Sequence, residues 1–376
     1  MTALDLLSTT ILAAMLAVAL YNLATAPRLE AAGAPAARPY ASVLVPARDE
    51  AENLRRTLPR LLALDYPRLE VLVLDDRSGD GTGSVAEEIG RRGGAPLRVL
   101  RGTEPPPGWT GKNWACHQLA EAASGEVLVF CDADVEAAPA SIRRTVAALE
   151  RHRAGAVTAI PRQRLDDWLQ AAVVPVIVQL PVLSMLPLRL VPIVPSPSLS
   201  MANGQWLAFT RAAYDATGGH AAVRGEVVED VALGRLVKAR GHRLVVCIAA
   251  TLLAVRMYAG PAAMRDGFRK NLYPLLGGRR GTFAAGLALL SIAWLYPFAA
   301  ALRGTAAALV PLALLAAVRI AGVLLFRQGW RTGVLHPLGA LAAAVLALQS
   351  WIGHERGRVS WKGRVVPSRI VPGADG

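Results

Sequence analysis

The sequence predicts an α/β fold with a mostly parallel sheet, joined to apolar helices at both ends of the chain. Short β-rich runs alternate with amphipathic stretches of about ten residues between Tyr40 and Ala159, the usual pattern of parallel α/β sheets. Polar residues directly follow three of these runs. The chain of 376 residues is also 53% hydrophobic, which is too apolar for an ordinary soluble enzyme, so part of it is expected in a membrane.

Composition narrows the possible classes of function. The formal net charge of +13 would suit nucleic acid, an anionic membrane surface or an anionic substrate. The sequence carries no recognition helix, zinc pattern or aromatic-basic ribonucleoprotein signature, so we expect no nucleic-acid partner. The 3 cysteines lie far apart without a C-x-x-C pair, and the 6 histidines lack metal-ligand spacing. We therefore expect neither a disulfide framework nor a thiolate or imidazole metal site.

The first element is an uncharged run from Leu6 to Pro27 that is long enough to cross a bilayer. Residues 1–27 are therefore predicted to form a transmembrane anchor, followed by an Ala/Pro/Gly tether over residues 28–39. A cleaved signal peptide is the alternative, favoured by Ala24-Thr25-Ala26 but opposed by the lack of Lys or Arg before the run. Because Arg28 and Arg38 follow the run, the positive-inside rule leaves the next domain in the cytoplasm.

Residues 40–280 are predicted to form the α/β domain. Five strands are expected in its first half, near Ser42–Val45, Glu70–Leu74, Leu97–Leu100, Glu126–Phe130 and Ala156–Ile160. Three of them end in polar segments, which are Pro46-Ala-Arg-Asp-Glu50, Asp75-Asp-Arg-Ser-Gly-Asp-Gly-Thr82 and Asp132-Ala-Asp134. Because ligands of such sheets bind at the carboxyl ends of the strands, these segments are expected to converge on one site.

The second half of that domain begins with an apolar run, Trp168 to Pro195, that contains five prolines. Proline interrupts the hydrogen bonds of a spanning helix, so residues 168–195 are predicted to form a membrane-interface segment or short broken helices. A buried apolar core loop is the alternative. Soluble character then returns, with a helix expected over Val227–Arg240 and a strand over Arg243–Cys247.

Residues 281–353 are predicted to form C-terminal membrane helices. Three runs are long enough to cross, namely Thr282–Leu302, Gly304–Phe326 and Val334–Gly353, and residues 354–376 form a basic tail. Three crossings from a cytoplasmic domain would put that tail outside the cell, whereas its charge favours the inside. Either one of the three runs does not cross the bilayer or the charge rule fails here.

Carboxylates at the predicted strand ends suggest a nucleotide-diphosphate site. Asp132 and Asp134 offer oxygen ligands that suit Mg²⁺ or Mn²⁺, although Asp-x-Asp also occurs as a simple turn or helix cap. Asp75 and Asp76 would accept hydrogen bonds from a base or ribose. Lys112 could pair with a diphosphate or could be a solvated surface lysine, and the Gly that an ATPase-type phosphate loop needs before Gly111-Lys112 is missing.

Glu229 and Asp230 open the helix predicted at Val227–Arg240. In isolation they are favourable charges against the helix dipole. Beside a metal-binding pair of aspartates, however, either could serve as the general base that deprotonates an acceptor hydroxyl.

Together these motifs resemble the family 2 glycosyltransferases with a GT-A nucleotide-sugar fold. The resemblance rests on Val45-Pro-Ala-Arg-Asp-Glu50, Asp75-Asp76 with Ser78 and Asp80-Gly-Thr82, Asp132-Ala-Asp134 and Glu229-Asp230. Further motifs are similar to the membrane-bound branch that glycosylates carotenoids, such as the diaponeurosporenoate and chlorobactene glycosyltransferases, with the hopanoid-associated branch as a neighbour. These are Gly108-Trp-Thr-Gly-Lys-Asn-Trp-Ala-Cys116, Thr217-Gly-Gly-His220, Arg256-Met-Tyr258 and Trp361-Lys-Gly-Arg364.

The resemblance implies a role for each site residue. Pro46, Arg48, Glu50 and Asp75 would hold the nucleotide, Lys112 the diphosphate and Asp132 the ribose or sugar phosphate. Asp134, with Asp132, would hold Mg²⁺ or Mn²⁺, and Asp230 or Glu229 would be the base.

The resemblance also implies a function for the whole chain. We expect a multi-pass cell-membrane enzyme with a cytoplasmic catalytic domain, which transfers a hexose, most simply glucose, from a UDP-sugar to an isoprenoid lipid such as a carotenoid. The resemblance implies an inverting transfer. A single transfer rather than chain growth is expected because the Gln-x-x-Arg-Trp motif of processive synthases is not seen. The alternatives are transfer to a hopanoid, polyprenyl phosphate or diacylglycerol, and a catalytically silent protein that binds nucleotide-sugars.

Overall fold

The computed structural model describes residues 2–365 and contains both helices and strands. The α-helices are α1 (Ala3–Thr25), α2 (Ala51–Leu62), α3 (Thr82–Gly90), α4 (Gly111–Ala122), α5 (Ser141–His152), α6 (Trp168–Val174), α7 (Leu180–Met185), α8 (Arg211–Thr217), α9 (Gly219–Ala222), α10 (Glu229–Ala239), α11 (Pro261–Leu275), α12 (Arg280–Trp294), α13 (Tyr296–Ala301), α14 (Ala306–Phe326), α15 (Arg331–Val334) and α16 (His336–Glu355). The strands are β1 (Ala41–Ala47), β2 (Leu69–Asp75), β3 (Leu97–Arg101), β4 (Val127–Cys131), β5 (Val135–Ala137), β6 (Ala156–Ile160), β7 (Arg162–Gln163), β8 (Trp206–Thr210), β9 (Leu244–Ile248), β10 (Leu253–Val255), β11 (Ser360–Trp361) and β12 (Arg364–Val365).

The described residues fall into two units. The sheet unit comprises Pro27–Arg162 and Arg189–Arg256, and the helical unit comprises the chain up to Ala26, Gln163–Leu188 and the chain from Met257 onward. The segment 163–188 therefore groups with the apolar helices, although the sequence placed it inside one domain of residues 40–280.

The sheet unit is built on a seven-stranded sheet in the order β3-β2-β1-β4-β8-β6-β9. β3, β2, β1 and β4 run parallel, β6 and β9 run parallel, and β8 is antiparallel to both of its neighbours. The prediction of an α/β fold with a mostly parallel sheet is thus confirmed. β1, β4, β6 and β9 are buried along almost their whole length, as expected of strands covered by helices on both faces.

The central antiparallel strand β8 was not predicted from the sequence. Its five residues, Trp206 to Thr210, form a short apolar run that periodicity alone cannot distinguish from a buried helical segment. In the structure it lies between β4 and β6, where Trp206 and Phe209 are fully buried. Between β6 and β8 the chain passes through the helical unit. The two strands are therefore far apart in sequence, and their order along the chain does not predict that they pair.

The helical unit contains the apolar helices. Within residues 2–365, four stretches are long and apolar enough to cross a membrane, namely Ala3–Thr25, Trp168–Met185, Ala306–Phe326 and His336–Glu355. α1 packs against α14 and α7, and α11 packs against α16. The buried amide of Asn22 in α1 donates to the carbonyls of Leu183 and Leu186, both at 2.8 Å, and so closes the end of α7.

Two apolar segments differ in detail from the sequence patterns. Trp168–Met185 forms one continuous helical stretch with a π-helical turn at Pro175–Gln179 rather than short broken helices; Pro175 and Pro181 lie near the starts of the turn and of α7, and the other three prolines follow the stretch. Its expected place at a membrane interface stays a prediction. Of the three C-terminal runs, Thr282–Leu302 is not one continuous helix. It is divided at Leu295 between α12 and α13, where Pro297 removes a backbone donor from the helical ladder.

The predicted basic tail of residues 354–376 lies partly outside the described residues, from position 366 onward. Its first part completes α16, and β11 pairs with β12 as a hairpin. Lys362 and Gly363 form its two-residue turn with φ of 45° and 75°, as a type I′ turn requires.

Candidate active site at the carboxyl edge of the sheet

The three polar segments predicted from the sequence meet at the carboxyl edge of the sheet. β1 and β2 pair in register up to Ala47 and Asp75, and β4 pairs with β1 on its other side. We call Pro46–Glu50 the first edge segment, Asp75–Thr82 the second and Asp132–Asp134 the third. Pro46, Arg48, Glu50, Asp75, Asp132 and Asp134 therefore all follow adjacent strands, as predicted.

Hydrogen bonds fasten the first edge segment to the second. The backbone N–H of Asp49 donates to Ser78 Oγ at 2.9 Å, and that of Gly79 donates to Asp49 Oδ1 at 2.9 Å. Arg48 Nη1 donates to the carbonyl of Asp76 at 2.9 Å. Asp49 and Arg77 adopt left-handed backbone conformations, with φ of 50° and 62°. Such strain in non-glycine residues is held only where the surroundings fix it, and it is common at functional sites.

Asp80 and Thr82 of the second segment hold the start of α2. Asp80 Oδ2 accepts from the backbone N–H of Ala51 at 3.0 Å, and Thr82 Oγ1 accepts from that of Glu50 at 2.9 Å. Sequence reasoning quoted these residues as part of a motif but did not foresee this role. They shape the edge by capping a helix from a distant loop, so their function is positional.

The third edge segment presents two acidic side chains. Asp134 Oδ1 is shielded from solvent and has no hydrogen-bond partner. Burial and the charges of Asp132 and Glu50 raise the pKa of Asp134 well above its usual value. The segment is held from behind by Thr57 of α2, whose hydroxyl donates to the carbonyl of Ala133 at 2.7 Å.

This acidic pair fits a divalent cation. An orphaned carboxylate oxygen beside a second carboxylate is the donor set that Mg²⁺ or Mn²⁺ accepts. Within residues 2–365 no cluster of three or more His, Cys, Asp or Glu side chains is arranged to hold a metal. The protein would thus supply one or two ligands and leave the rest to phosphate oxygens and water, as Mg²⁺ sites that bind nucleotides do.

Lys112 joins the third segment to α10. Its Nζ lies 2.9 Å from Asp132 Oδ1 and 2.9 Å from Glu229 Oε1. Burial would lower the pKa of Lys112, but the charges of these two carboxylates raise it well above the usual value, so the lysine stays charged. The ammonium group therefore faces the site rather than bulk solvent.

Glu229 and Asp230 lie at the start of α10 in different environments. Glu229 is buried and paired with Lys112. Asp230 accepts hydrogen bonds from the backbone N–H groups of Gly204 and Val231, both at 2.8 Å. Burial and the neighbouring charge of Glu229 raise the pKa of Asp230 to about 6. A carboxylate with a pKa near neutrality is better suited to accept a proton than one held by a lysine.

Gly204 is needed where these groups meet. A Cβ at this position would lie 3.1 Å from Lys112 Nζ and 3.4 Å from Asp230 Oδ2. Both approaches are tight, so the absence of a side chain lets the lysine and the carboxylate come close to the backbone. The sequence offered no signal for this residue, since Asn203-Gly204 reads as an ordinary turn.

Asn113 orders the chain that leads to α10. Its side-chain Nδ2 lies within hydrogen-bond distance of the carbonyls of Val223 (2.7 Å), Arg224 (3.1 Å) and Glu226 (3.0 Å). Because Asn113 directly follows Lys112, the same turn of α4 places the lysine and fixes the approach to Glu229. Sequence reasoning quoted Asn113 only within a longer motif and missed this function.

His220 is a buried neutral imidazole beside the site. Its Nδ1 lies 2.8 Å from Tyr214 Oη, and burial lowers the pKa of His220 to about 3. Gly219 precedes it with φ of 51°, and a Cβ there would lie 2.4 Å from the Tyr214 ring. Gly219 is therefore required by its close packing on Tyr214.

These groups line a small, partly open pocket. Its lining residues are Pro46, Lys112, Cys116, Phe130, Cys131, Asp132, Gly204, Leu207, His220, Glu229, Asp230 and Leu233. Charged and apolar side chains therefore meet at this pocket.

Among the other residues quoted from the sequence, Arg256 directly follows β10, whose Val255 pairs with Val135 beside the third segment. Arg256 pairs with Glu52 at 3.7 Å in the sheet unit. Tyr258 and Trp361 belong to the helical unit, where Tyr258 packs on Phe268 with ring centroids 5.1 Å apart and Lys270 lies 5.4 Å from the centroid of Trp361.

Comparison with known proteins shows which family this chain is similar to. Residues 42–216 match the family model described as glycosyl transferase family 2, which confirms the resemblance predicted from the motifs. The 4,4'-diaponeurosporenoate glycosyltransferase of Staphylococcus haemolyticus is 37% identical over 97 residues, which are 25% of this chain and 24% of that protein. The protein of the same name from Staphylococcus aureus strain MRSA252 is 26% identical over 347 residues, covering 86% of this chain and 87% of that one.

Other similarities are shorter or concern the fold alone. A beta-monoglucosyldiacylglycerol synthase of Trichormus variabilis is 30% identical over 135 residues, which are 35% of this chain and 28% of that protein. The chain spans about a quarter of the length of several such curated relatives. Among solved structures, the mannosyltransferase PcManGT from Pyrobaculum calidifontis, in complex with GDP-Man and Mn²⁺, is similar with a TM-score of 0.51 and 21% identity, covering 92% of this chain and 99% of that one. At this identity the similarity shows a shared fold.

Proposed function

We propose that this chain, which carries a glycosyl transferase family 2 domain, transfers a hexose from a UDP-sugar to an apolar isoprenoid lipid such as a carotenoid. Glucose is the simplest choice of hexose. The observation that carries the proposal is that Asp132, Glu229 and Asp230 lie around the ammonium group of Lys112, with the solvent-shielded carboxylate oxygen of Asp134 two residues after Asp132. Clustered like charges are costly, so their presence favours a site that binds cations and moves protons.

The nucleotide would lie along the first and second edge segments. Pro46, Arg48, Glu50 and Asp75 follow β1 and β2 side by side, and the hydrogen bonds between the segments keep their shape without a ligand. Such a preformed edge lowers the entropy cost of binding uridine.

Mg²⁺ or Mn²⁺ would be held by Asp134 together with Asp132. When bound, the cation would offset the negative charge of the departing nucleoside diphosphate. Lys112 would bind the same diphosphate from the other side, as a point charge already held in the site by Asp132 and Glu229.

Asp230 is the better candidate for the base that deprotonates an acceptor hydroxyl. Its pKa of about 6 keeps it ionised at neutral pH yet close to the pH at which proton transfer is efficient. Glu229, in contrast, is engaged by Lys112 and would position that lysine. A base opposite the diphosphate is the arrangement expected for a single inverting displacement.

The acceptor is proposed from the extent of similarity. The relative named for a carotenoid substrate aligns over 87% of its length, whereas the relative named for diacylglycerol aligns over 28%. The apolar helices support an apolar acceptor and a multi-pass location in the cell membrane. The positive-inside rule, applied to Arg28 and Arg38, supports a sheet unit on the cytoplasmic side. Because β6 and β8 belong to one sheet, Trp168–Met185 between them would enter and leave the membrane on the same side. Hopanoid, polyprenyl phosphate and diacylglycerol remain the alternative acceptors, and a silent nucleotide-sugar-binding protein is the alternative from another class.

The test is transfer of labelled sugar into the organic phase. Membranes containing the full chain are given UDP-glucose, with a carotenoid alcohol or diacylglycerol as the only added acceptor. We expect metal-dependent label on the carotenoid. Label on diacylglycerol alone would reassign the acceptor, and no transfer from any UDP-sugar despite UDP binding would favour the silent binding protein.

Matched variants test the assignment of the base. Asp230→Asn and Glu229→Gln each remove one charge with little change in shape. We expect Asp230→Asn to lower the transfer rate by about 10²–10⁴-fold with UDP affinity retained, and Glu229→Gln to weaken UDP binding through Lys112. The reverse result would make Glu229 the base.

A further inference from the structure

One surface loop of the sheet unit is uncharged and exposes apolar side chains. Residues 193–198, Ile-Val-Pro-Ser-Pro-Ser, are all exposed, and we call them the apolar loop. Ile193 is 64% exposed and Val194 37%. No charged residue occurs between Arg189 and Arg211, a stretch of unusual length in a chain with a net charge of +13. This composition is unfavourable for a loop that faces water alone.

A buried lysine closes the base of the apolar loop. Lys238 of α10 is only 6% exposed, and its Nζ donates to the carbonyl of Val191 at 2.9 Å and to that of Leu199 at 2.5 Å. These two residues flank the loop. Burial lowers the pKa of Lys238, so holding the charged lysine between these two carbonyls costs desolvation free energy. A cost of this kind is expected where the position of a loop matters.

Proline makes the loop stiff. Pro192, Pro195 and Pro197 fix three backbone φ angles within seven residues. Because a stiff loop has little conformational entropy left to lose, it can enter an ordered environment at low cost.

The loop is linked to the candidate base through α10. Asp230 begins this helix and Lys238 lies eight residues later, which corresponds to about 12 Å along the axis. The chain that returns from the loop reaches Gly204, whose N–H donates to Asp230. The loop and the candidate base are therefore attached to the same rigid element.

We propose that the apolar loop inserts into the interfacial layer of a lipid bilayer and so brings the Asp230 end of α10 within reach of molecules dissolved in the membrane. Chain connectivity favours lipid as the occupant. Ile193 lies eight residues after Met185, the end of a stretch able to cross a membrane, so it can be no further than about 28 Å from that end. Burying an isoleucine side chain in an apolar environment is favourable, so the loop can add a shallow anchor to a chain that carries other apolar stretches.

Insertion can be measured without catalysis. The full chain is reconstituted in nanodiscs that contain a spin-labelled quencher lipid, with an environment-sensitive fluorophore on Ile193→Cys. The matched control is Glu87→Cys, an exposed position on α3 of the same unit. The native thiols Cys116, Cys131 and Cys247 are buried, which limits background labelling.

We expect a blue-shifted spectrum and several-fold stronger quenching at position 193 than at position 87. Equal quenching at the two positions would overturn the proposal. A fluorophore at 193 that is shielded from water yet insensitive to the quencher lipid would also overturn it, since a protein surface would then cover the loop.

A second experiment connects the loop to transfer, and this part rests on the proposed function. Ile193→Ser with Val194→Ser should raise the KM for a bilayer acceptor about tenfold while UDP affinity stays unchanged. Ser196→Ala with Ser198→Ala, in the same loop, should leave both values unchanged. A KM unchanged by the Ile193/Val194 variant would remove the link between loop and acceptor.

The two proposals fail separately. If the wild-type chain transfers no sugar but position 193 is quenched, the proposed function fails and the loop remains inserted. If sugar is transferred but position 193 is not quenched, the loop proposal fails alone.

Discussion

The two edges of the central sheet hold buried carboxylates in opposite ways. At the amino edge, Glu70 of β2 is 4% exposed and well supplied with partners. Its Oε1 accepts from Ser42 Oγ at 2.6 Å and from the N–H of Ser124 at 2.7 Å, and its Oε2 lies 3.7 Å from Arg98 Nη1. At the carboxyl edge, Asp134 keeps an oxygen without any partner, and one lysine serves two carboxylates.

This difference separates stability from function within one sheet. A buried carboxylate with its partners ties the strands together, whereas one without them costs free energy and is tolerated only if a ligand completes it. The same chemical group therefore indicates a structural role at one edge and a binding role at the other. Four substitutions or conditions would test that distinction, beginning with the largest expected effect.

Removing the charge of Asp134 should abolish transfer without harming the fold. We expect Asp134→Asn to lower the rate at least about a hundredfold, because charge stabilisation of the leaving group is lost. Stability should stay the same or rise, since the repulsion from Asp132 and Glu50 disappears. Transfer assays paired with thermal unfolding check both statements. A variant that loses activity only in proportion to its unfolding would contradict a binding role for this carboxylate.

Removing the charge of Glu70 should have the opposite effects, lowering stability and leaving activity unchanged. Glu70→Gln weakens charge-assisted bonds to Ser42 and Ser124, so we expect a loss of about 1–2 kcal/mol in the free energy of unfolding. Activity per folded molecule should not change. Denaturant unfolding measures the loss, and Ser42→Ala should show a similar one. If Glu70→Gln lowered the rate of the folded protein, the amino edge would not be purely structural.

The pH dependence of activity and of stability should both be set by Asp230 at the carboxyl edge. With a pKa of about 6, Asp230 gains a proton as the pH falls, so kcat/KM should drop up to tenfold per pH unit below 6. The contribution of Asp230 to the free energy of unfolding changes in the opposite direction with pH. A carboxyl whose folded pKa lies above its unfolded value of 3.8 stabilises the fold at low pH, and this contribution is lost as the pH rises through 6.

Asp230→Asn should therefore flatten both profiles near pH 6. The measurements are kcat/KM and unfolding free energy between pH 5 and 8, with Glu229→Gln as the control for a neighbouring charge. Glu229→Gln should move both profiles to lower pH, because the charge of Glu229 helps to raise the pKa of Asp230. If the fall in activity below pH 6 persisted in Asp230→Asn, the base would be Glu229 instead.

The difference between the edges was partly visible in the sequence. Asp132, Asp134, Glu229 and Asp230 stand at strand or helix ends, where local patterns are informative, and their predicted positions hold. The hydroxyl of Thr57 and the amide of Asn113 could not be assigned in this way, because their partners lie 76 and at least 110 residues away. Nothing local to such a residue records a contact made by tertiary folding.

The apolar segments show the same limit. Prolines predict broken helices over Trp168–Pro195, yet Pro175 and Pro181 lie within one continuous 18-residue stretch that contains a π-helical turn. Local rules describe what proline costs a regular helix, but only the packed structure reveals that an irregular turn lowers the cost.

The smallest effect is expected at Thr57, which connects α2 to the third edge segment. Its hydroxyl donates to the carbonyl between Asp132 and Asp134, and both groups are buried. Thr57→Val keeps the shape but leaves that carbonyl without its donor, so the two aspartates should lose their fixed spacing.

We expect Mn²⁺ binding in the presence of UDP to weaken about tenfold, the size of effect seen for residues that orient metal ligands. Thr57→Ser keeps the hydroxyl and should bind Mn²⁺ nearly as the wild type does. If the Val and Ser variants bound Mn²⁺ equally well and Val lowered only the melting temperature, Thr57 would be a structural residue like Glu70. Its hydrogen bond to Ala133 would then stabilise the fold without orienting the two aspartates.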